Sequence, residues 1–185
     1  MPTPDQDKIR KAWNYASLAH NNQYMPGNAL PYINHIGSVA MEAMAAVIQN
    51  KDMVDPELLI LCAILHDILE DTKGFYSEIE KQFGKKVADG VVALTKDKNL
   101  PSKEAQMKDS IERIRKQPHE VWMVKLCDRI ANLQPPPEHW NNDKIDAYRD
   151  EAVFILESLG EANQDLSSRL KMKIDMYGKT MGRNI

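Results

Sequence analysis

Eight consecutive apolar residues, Leu58 to Leu65, run directly into a segment holding His66, Asp67, Glu70 and Asp71, in the stretch LLILCAILHDILEDT. Asp55 and Pro56 ahead of the run form a helix start. Aspartate can cap the free amides, and proline's missing N–H costs nothing at the first helical position. A helix that is apolar on every side must be buried on most of them. The run therefore predicts a central helix with charge at its far end. It is far shorter than the ~20 residues a helix needs to cross a bilayer, so no membrane span is expected. If the helix continues, His66 stacks with Glu70 and Asp67 with Asp71, because positions four apart share a face. Three carboxylates and an imidazole at such a place are costly unless something positive compensates them. A divalent cation or shared protons would do so. The alternative is a solvated helix end whose acids meet water.

Elsewhere apolar residues recur at spacings of three and four, and strictly alternating strand patterns are absent, so the chain reads as all-α. Helices are expected over about Asp7–Asn21, Asn34–Gln49, Lys85–Lys96, Ser102–Lys116, Glu120–Leu133, Lys144–Gly160 and Gln164–Tyr177. Ser77 and Glu80 have the spacing of a capping box for a short helix that stops near Gly84. The segment QPPPEHW, Gln134 to Trp140, reads as a proline-stiffened loop within one unit. The 185 residues suit a single compact domain over 1–185, and 43% hydrophobic with 28% charged residues is the balance of a globular protein.

The net charge of -3 is scattered along the chain, so neither nucleic acid nor an anionic membrane is an expected partner. The first residues, MPTPDQDKIRKAWNYA, lack the apolar core of a secretory signal, which makes the cytoplasm the expected compartment. Cys62 and Cys127 each lie inside an apolar segment, at no zinc or redox spacing. Both read as small buried hydrophobes.

Two further segments carry chemistry. In VKLCDRIANL, Val124 to Leu133, Asp128 interrupts an apolar helix with Lys125 and Arg129 beside it and Asn132 one turn on. Alone, that aspartate reads as an ordinary ion-paired residue. In PYINHIGSVA, Pro31 to Ala40, His35 enters a helix after a proline-containing loop, and alone it reads as structural or exposed.

Together, His35, the His66-Asp67 dipeptide and Asp128, in that order on separate helices, resemble the HD phosphohydrolase superfamily. PYINH, ILHDILEDT, VVALTKDK and VKLCDRIANL are more closely similar to the hydrolase domain of the RelA/SpoT family, above all to its stand-alone small alarmone hydrolases. The resemblance runs from about Ala12 to Leu170. It implies that His35, His66, Asp67 and Asp128 hold one divalent ion, usually manganese in that family. Fe²⁺ and Zn²⁺ also suit a mixed imidazole and carboxylate set, and no thiolates point to a structural zinc. Glu70 and Asp71 match the acidic pair that handles the attacking water there. Asn132 and Tyr148 match substrate-contacting positions. The implied reaction removes pyrophosphate from the 3′ position of guanosine tetra- or pentaphosphate, a small-molecule nucleotide substrate. The oligomeric state is not implied. Other readings are an HD phosphatase acting on other (deoxy)nucleotides and a non-catalytic nucleotide sensor.

The chain departs from the family pattern between the first two helices. The family commonly has Gln, one residue, then Arg-Lys-Ser-Gly-Glu-Pro-Tyr, whose arginine packs on guanine. Here the segment reads QYMPGNALPY, Gln23 to Tyr32, one residue longer and without either cation. Tyr24 is the candidate to cover a base by stacking in its place, with Met25 as an apolar substitute. Ile36 stands where the family has proline. Asn132-Leu133 is followed by Gln134 where the family often has arginine. Lys96, Lys98, Lys103, Lys125 and Arg129 are the cations available to an anionic substrate.

Overall fold

The computed structural model describes residues 3–27, 29–50 and 55–177, and among these the chain is all-α, without strands. In order, α1 is Gln6–Ala19, α2 Ile33–Gln49, α3 Pro56–Leu65, α4 Ile68–Asp71 and α5 Tyr76–Phe83. There follow α6 Lys85–Leu94, α7 Lys103–Ile114, α8 His119–Asn132, α9 Asn142–Leu159 and α10 Gln164–Met176. A 3-10 turn, Gly160–Ala162, joins the last two.

The helix starts follow local chemistry. Asp5 Oδ1 accepts from the amides of Asp7 and Lys8 to open α1, and Ser102, Asn141 and Asn163 cap α7, α9 and α10 through their side-chain oxygens. Asp55 Oδ1 accepts the Leu58 amide at 3.0 Å, with Pro56 in the first turn, as the sequence implies. The Asp55 amide in turn donates to Glu120 Oε1 at 3.0 Å, tying the start of α3 to α8. The expected capping box at Ser77 and Glu80 does not form. Ser77 lies inside α5, whose start at Phe75 has extended backbone and no side-chain cap. Tyr76 opens this helix two residues before the Glu78 that a Ser77 cap would place first, and its hydroxyl is anchored on Asp89 Oδ1 at 2.8 Å. Gly84 ends α5 with φ of +95°, a conformation glycine adopts at little cost.

Three helices make the centre. Every residue of α3 except Glu57 is buried, as its all-round apolar sequence requires. α3 packs against α1, α2, α6 and α8, while α2 and α8 pack on each other across it. In α8 the whole run Glu120–Ala131 is buried, including Lys125, Asp128 and Arg129. Cys62 and Cys127 are free and fully buried in this core. α9 and α10 pack on α8, so the proline-rich segment before α9 is a loop between packed helices.

Between α1 and α2 the chain doubles back as a small hairpin. Tyr24 and Pro31 form an isolated antiparallel bridge. The Met25 amide donates to the Leu30 carbonyl and the Tyr32 amide to the Gln23 carbonyl, each at 2.8 Å.

Candidate active site

The expected uninterrupted helix through His66 and Asp71 is corrected by the structure. α3 stops at Leu65, Asp67 adopts φ of -98° and ψ of 1°, and a separate turn of helix, α4, begins at Ile68. Consecutive residues on a helix point about 100° apart. The break instead brings His66 Nε2 and Asp67 Oδ2 to 2.9 Å of each other. Two adjacent side chains therefore address one point, which the spacing of four could not have achieved.

To that point α2 adds His35 from its first turn and α8 adds Asp128 from its buried run. His35 Nε2 lies 3.3 Å from His66 Nε2 and 3.5 Å from both Asp67 Oδ2 and Asp128 Oδ1. The ligand atoms of His35, His66 and Asp128 all fall within 4.8 Å of one another, and these three residues are buried. The side chain of Asp67 is only 16% exposed. Three of the four are held by a further hydrogen bond. His66 Nδ1 donates to the Ala63 carbonyl at 2.9 Å, which fixes the tautomer that turns the Nε2 lone pair inward. The Tyr32 hydroxyl donates to Asp67 Oδ2 at 2.6 Å, and Lys125 Nζ to Asp128 Oδ2 at 2.9 Å. The Asn132 amide donates to Asp128 Oδ1.

The electrostatics show what the cluster demands. Burial raises the pKa of both aspartates, yet both are held below the usual carboxylate range: Asp67 by His66 and His35, Asp128 by Lys125 and the two imidazoles. Burial lowers the histidines, but the carboxylates outweigh it. His35 is pushed up to about 9 by Asp128 and Asp67, and His66 is raised chiefly by Asp67. Burial and the Asp67 anion raise the Tyr32 phenol, so it stays a hydrogen-bond donor. Two carboxylates facing two imidazoles thus call for positive charge at their centre. A divalent ion meets that demand with neutral imidazoles and ionised carboxylates, and the nitrogen and oxygen donors suit a first-row metal.

A cavity of about 130 Å³ opens on this cluster and is lined also by Glu70, Asp71, Lys96 and Asn132. Glu70 Oε2 accepts the Lys96 amide at 2.9 Å, and Lys98 Nζ sits 3.4 Å from Asp71 Oδ1. Tyr148 and Tyr24, the other two residues expected to contact substrate, do not line this cavity. Tyr148 lines a separate cavity of about 810 Å³ with Trp140, Lys103 and Lys144, and the Arg129 guanidinium lies over its ring, 4.5 Å from the centroid. Tyr24 is 59% exposed on the hairpin. Arg129 pairs with Glu151 rather than Asp128. The motifs do not mark Tyr32, although it stands three residues before His35, one helical turn away.

The chain belongs to the HD domain family, whose model matches residues 12–163. Within that family it is similar to guanosine-3′,5′-bis(diphosphate) 3′-pyrophosphohydrolase MESH1. The zebrafish (Danio rerio) protein is 30% identical over 85% of this chain and 87% of its own length, and the human protein 28% identical over 94% and 97%. The bifunctional (p)ppGpp synthase/hydrolase SpoT of Escherichia coli is 34% identical over 72% of this chain and 19% of its own. A solved structure described as a metazoan ortholog of SpoT that hydrolyzes ppGpp superposes with a TM-score of 0.79, at 27% identity over 96% of this chain and 99% of that one. The resemblance read from the motifs is therefore the family found. No helix among the described residues is long and apolar enough to cross a membrane.

Proposed function

We propose that residues 1–185 form one HD-type, metal-dependent phosphohydrolase domain that removes pyrophosphate from the 3′ position of guanosine 3′,5′-bis(diphosphate) or a related 3′-phosphorylated nucleotide. The observation that carries it is the convergence of His35, His66, Asp67 and Asp128 at one point, with Glu70 and Asp71 on the wall of the same cavity. The relatives named for this reaction, matched over most of their length, support the same substrate class. We place the protein in the cytoplasm, in keeping with two free, buried cysteines.

His35, His66, Asp67 and Asp128 would hold one divalent ion, with Mn²⁺ the proposed metal. When bound, the ion supplies Lewis acidity and neutralises charge that grows on the phosphate in the transition state. The chain's own groups do the rest. Glu70 and Asp71 hold a water by hydrogen bonds and take its proton as its oxygen bonds to phosphorus. The bond from phosphorus to the ribose 3′ oxygen breaks, and that oxygen leaves as a hydroxyl once protonated. Lys125 and Lys96, both on the cavity wall, draw phosphate oxygens in. Asn132 orients Asp128 through its amide and leaves its side-chain oxygen for a ribose hydroxyl. Tyr24 and Tyr148 would make the outer contacts with the nucleoside.

The altered hairpin favours a second reading, an HD phosphatase acting on another nucleotide. The arginine that would pack on guanine is missing from Gln23–Tyr32. Mn²⁺-loaded protein incubated with 3′-pyrophosphorylated guanosines and a panel of nucleoside phosphates decides the matter. Released pyrophosphate from the guanosines supports the first reading, and orthophosphate from another substrate supports the second. Tight binding without any product would make the chain a sensor.

A further inference from the structure

The acidic pair rides on α4, a helix of one turn, Ile68–Asp71. In so short a helix every carbonyl belongs to the last four, which have no partner within the helix, and a single turn is not stable by itself. Three of these carbonyls are satisfied by side chains. Thr72 Oγ1 donates to Ile68, Lys98 Nζ to Glu70 and Gln23 Nε2 to Asp71, each at 2.7 Å. Lys98 and Gln23 come from distant segments, so the turn is capped from outside.

Gln23 is itself aimed by His20. The imidazole Nδ1 stands 2.7 Å from Gln23 Oε1, and since that oxygen only accepts, Nδ1 carries the proton. This bond settles which end of the amide faces Asp71. His20 is 3% exposed, its Nε2 has no partner, and its ring packs 5.0 Å from that of Tyr32. Tyr32 in turn donates its amide to the Gln23 carbonyl and its hydroxyl to Asp67 Oδ2. The Asp71 amide closes the circuit on the Asp67 carbonyl at 2.9 Å. The base of the hairpin therefore grips the His66–Asp71 segment twice, at Asp67 through Tyr32 and at Asp71 through Gln23.

We propose that Gln23, held by His20, is a positioning residue for the acidic pair: it caps α4 at the Asp71 carbonyl and keeps Glu70 and Asp71 facing the cavity. The two grips are separable, with Gln23 acting on the proton-handling pair and Tyr32 on the metal-facing carboxylate. The catalytic half of the proposal rests on the role assigned to Glu70 and Asp71 above.

Gln23→Glu tests it. The variant keeps an oxygen to accept from His20 but opposes a second oxygen to the Asp71 carbonyl. Deuterium exchange at residues 68–72 should quicken by about fivefold or more while residues 56–65 stay protected. Turnover should fall by about 10- to 100-fold, as expected for misplaced catalytic groups, with KM and the calorimetric Mn²⁺ affinity within about threefold of wild type. Unchanged exchange at 68–72, or faster exchange with unchanged turnover, overturns the proposal. A joint collapse of Tm and Mn²⁺ affinity also overturns it, because Gln23 would then be a general structural residue. If the glutamate variant does not fold, Gln23→Met, close in size but unable to cap, is read by the same measures. Should wild type release no pyrophosphate, the functional reading falls, and the exchange data still decide whether Gln23 holds α4.

Discussion

His35 Nε2 and His66 Nε2 face each other across 3.3 Å, with a carboxylate oxygen of Asp67 within 3.5 Å of each. Two neutral imidazoles so placed would aim lone pairs at one another, and either a proton shared between them or a metal ion at the centre relieves this. On the function proposed above, one equivalent of Mn²⁺ should bind, and chelation should abolish turnover. Asp128→Ala should weaken binding by more than about 100-fold, beyond what loss of a merely supporting contact costs. Metal content after gel filtration, together with pyrophosphate release, checks both statements.

Glu70→Gln and Asp71→Asn should each lower kcat by about 100- to 10,000-fold, the range for loss of a proton-transfer group. Metal content should remain at one equivalent. Neither side chain is needed to complete the cluster of His35, His66 and Asp128. A variant that lost its metal along with its activity would move that residue into the ligand set.

Tyr32→Phe deletes the hydroxyl that donates to Asp67 Oδ2 and leaves the ring packed between His20 and His35. Mn²⁺ affinity should fall by about 10- to 100-fold, the usual cost of removing a contact that orients a ligand. Titration calorimetry of the variant against wild type gives the ratio directly.

Much of the fold is legible in the sequence. The apolar run Leu58–Leu65 behind Asp55 and Pro56 marks a buried helix and its start, because both signals are local. The break after Leu65 is not marked. No glycine or proline stands at His66 or Asp67, and the turn is held by contacts from Tyr32, Gln23 and Lys98, all remote in sequence. For the same reason Asp128 was recognisable and its partners were not. Lys125 stands three residues before it and Arg129 one after, and the fold gives Lys125 to Asp128 and Arg129 to Glu151. Ser77 shows the opposite failure, where a correct local spacing lost to the anchor of Tyr76 on Asp89.

Acid should loosen the docking of α1. Glu57 accepts from Lys8 Nζ at 2.7 Å and from the Asp5 amide at 2.8 Å, and these bonds, Lys8 first, hold its carboxyl below the usual range. A depressed folded pKa means the stabilisation is complete above the unfolded value, ~4.3. It is lost as pH falls through the folded value. Because both side chains are partly exposed, the gain over Glu57→Gln should be at most ~1 kcal/mol at pH 6. It should vanish toward pH 3, as chemical denaturation at the two pH values would show.

At Gly90 the backbone of α6 lies close against α3 and α8. A Cβ there would stand 2.9 Å from Cys62 Sγ and 3.0 Å from Val121 Cγ2. Gly90→Ala should cost ~1–3 kcal/mol by overpacking. For a chain of this size each kcal/mol lowers Tm by about 2–4 °C, which calorimetry resolves.

The hairpin between α1 and α2 is pinned at its base by Tyr24 and Pro31 and by the bonds of Met25 and Tyr32. An added or altered residue beyond that bridge leaves Gln23 and Tyr32 in register with Asp71 and Asp67. On the function proposed above, side chains at the tip would then differ in their contacts with a nucleobase without loosening the grip on the hydrolytic segment.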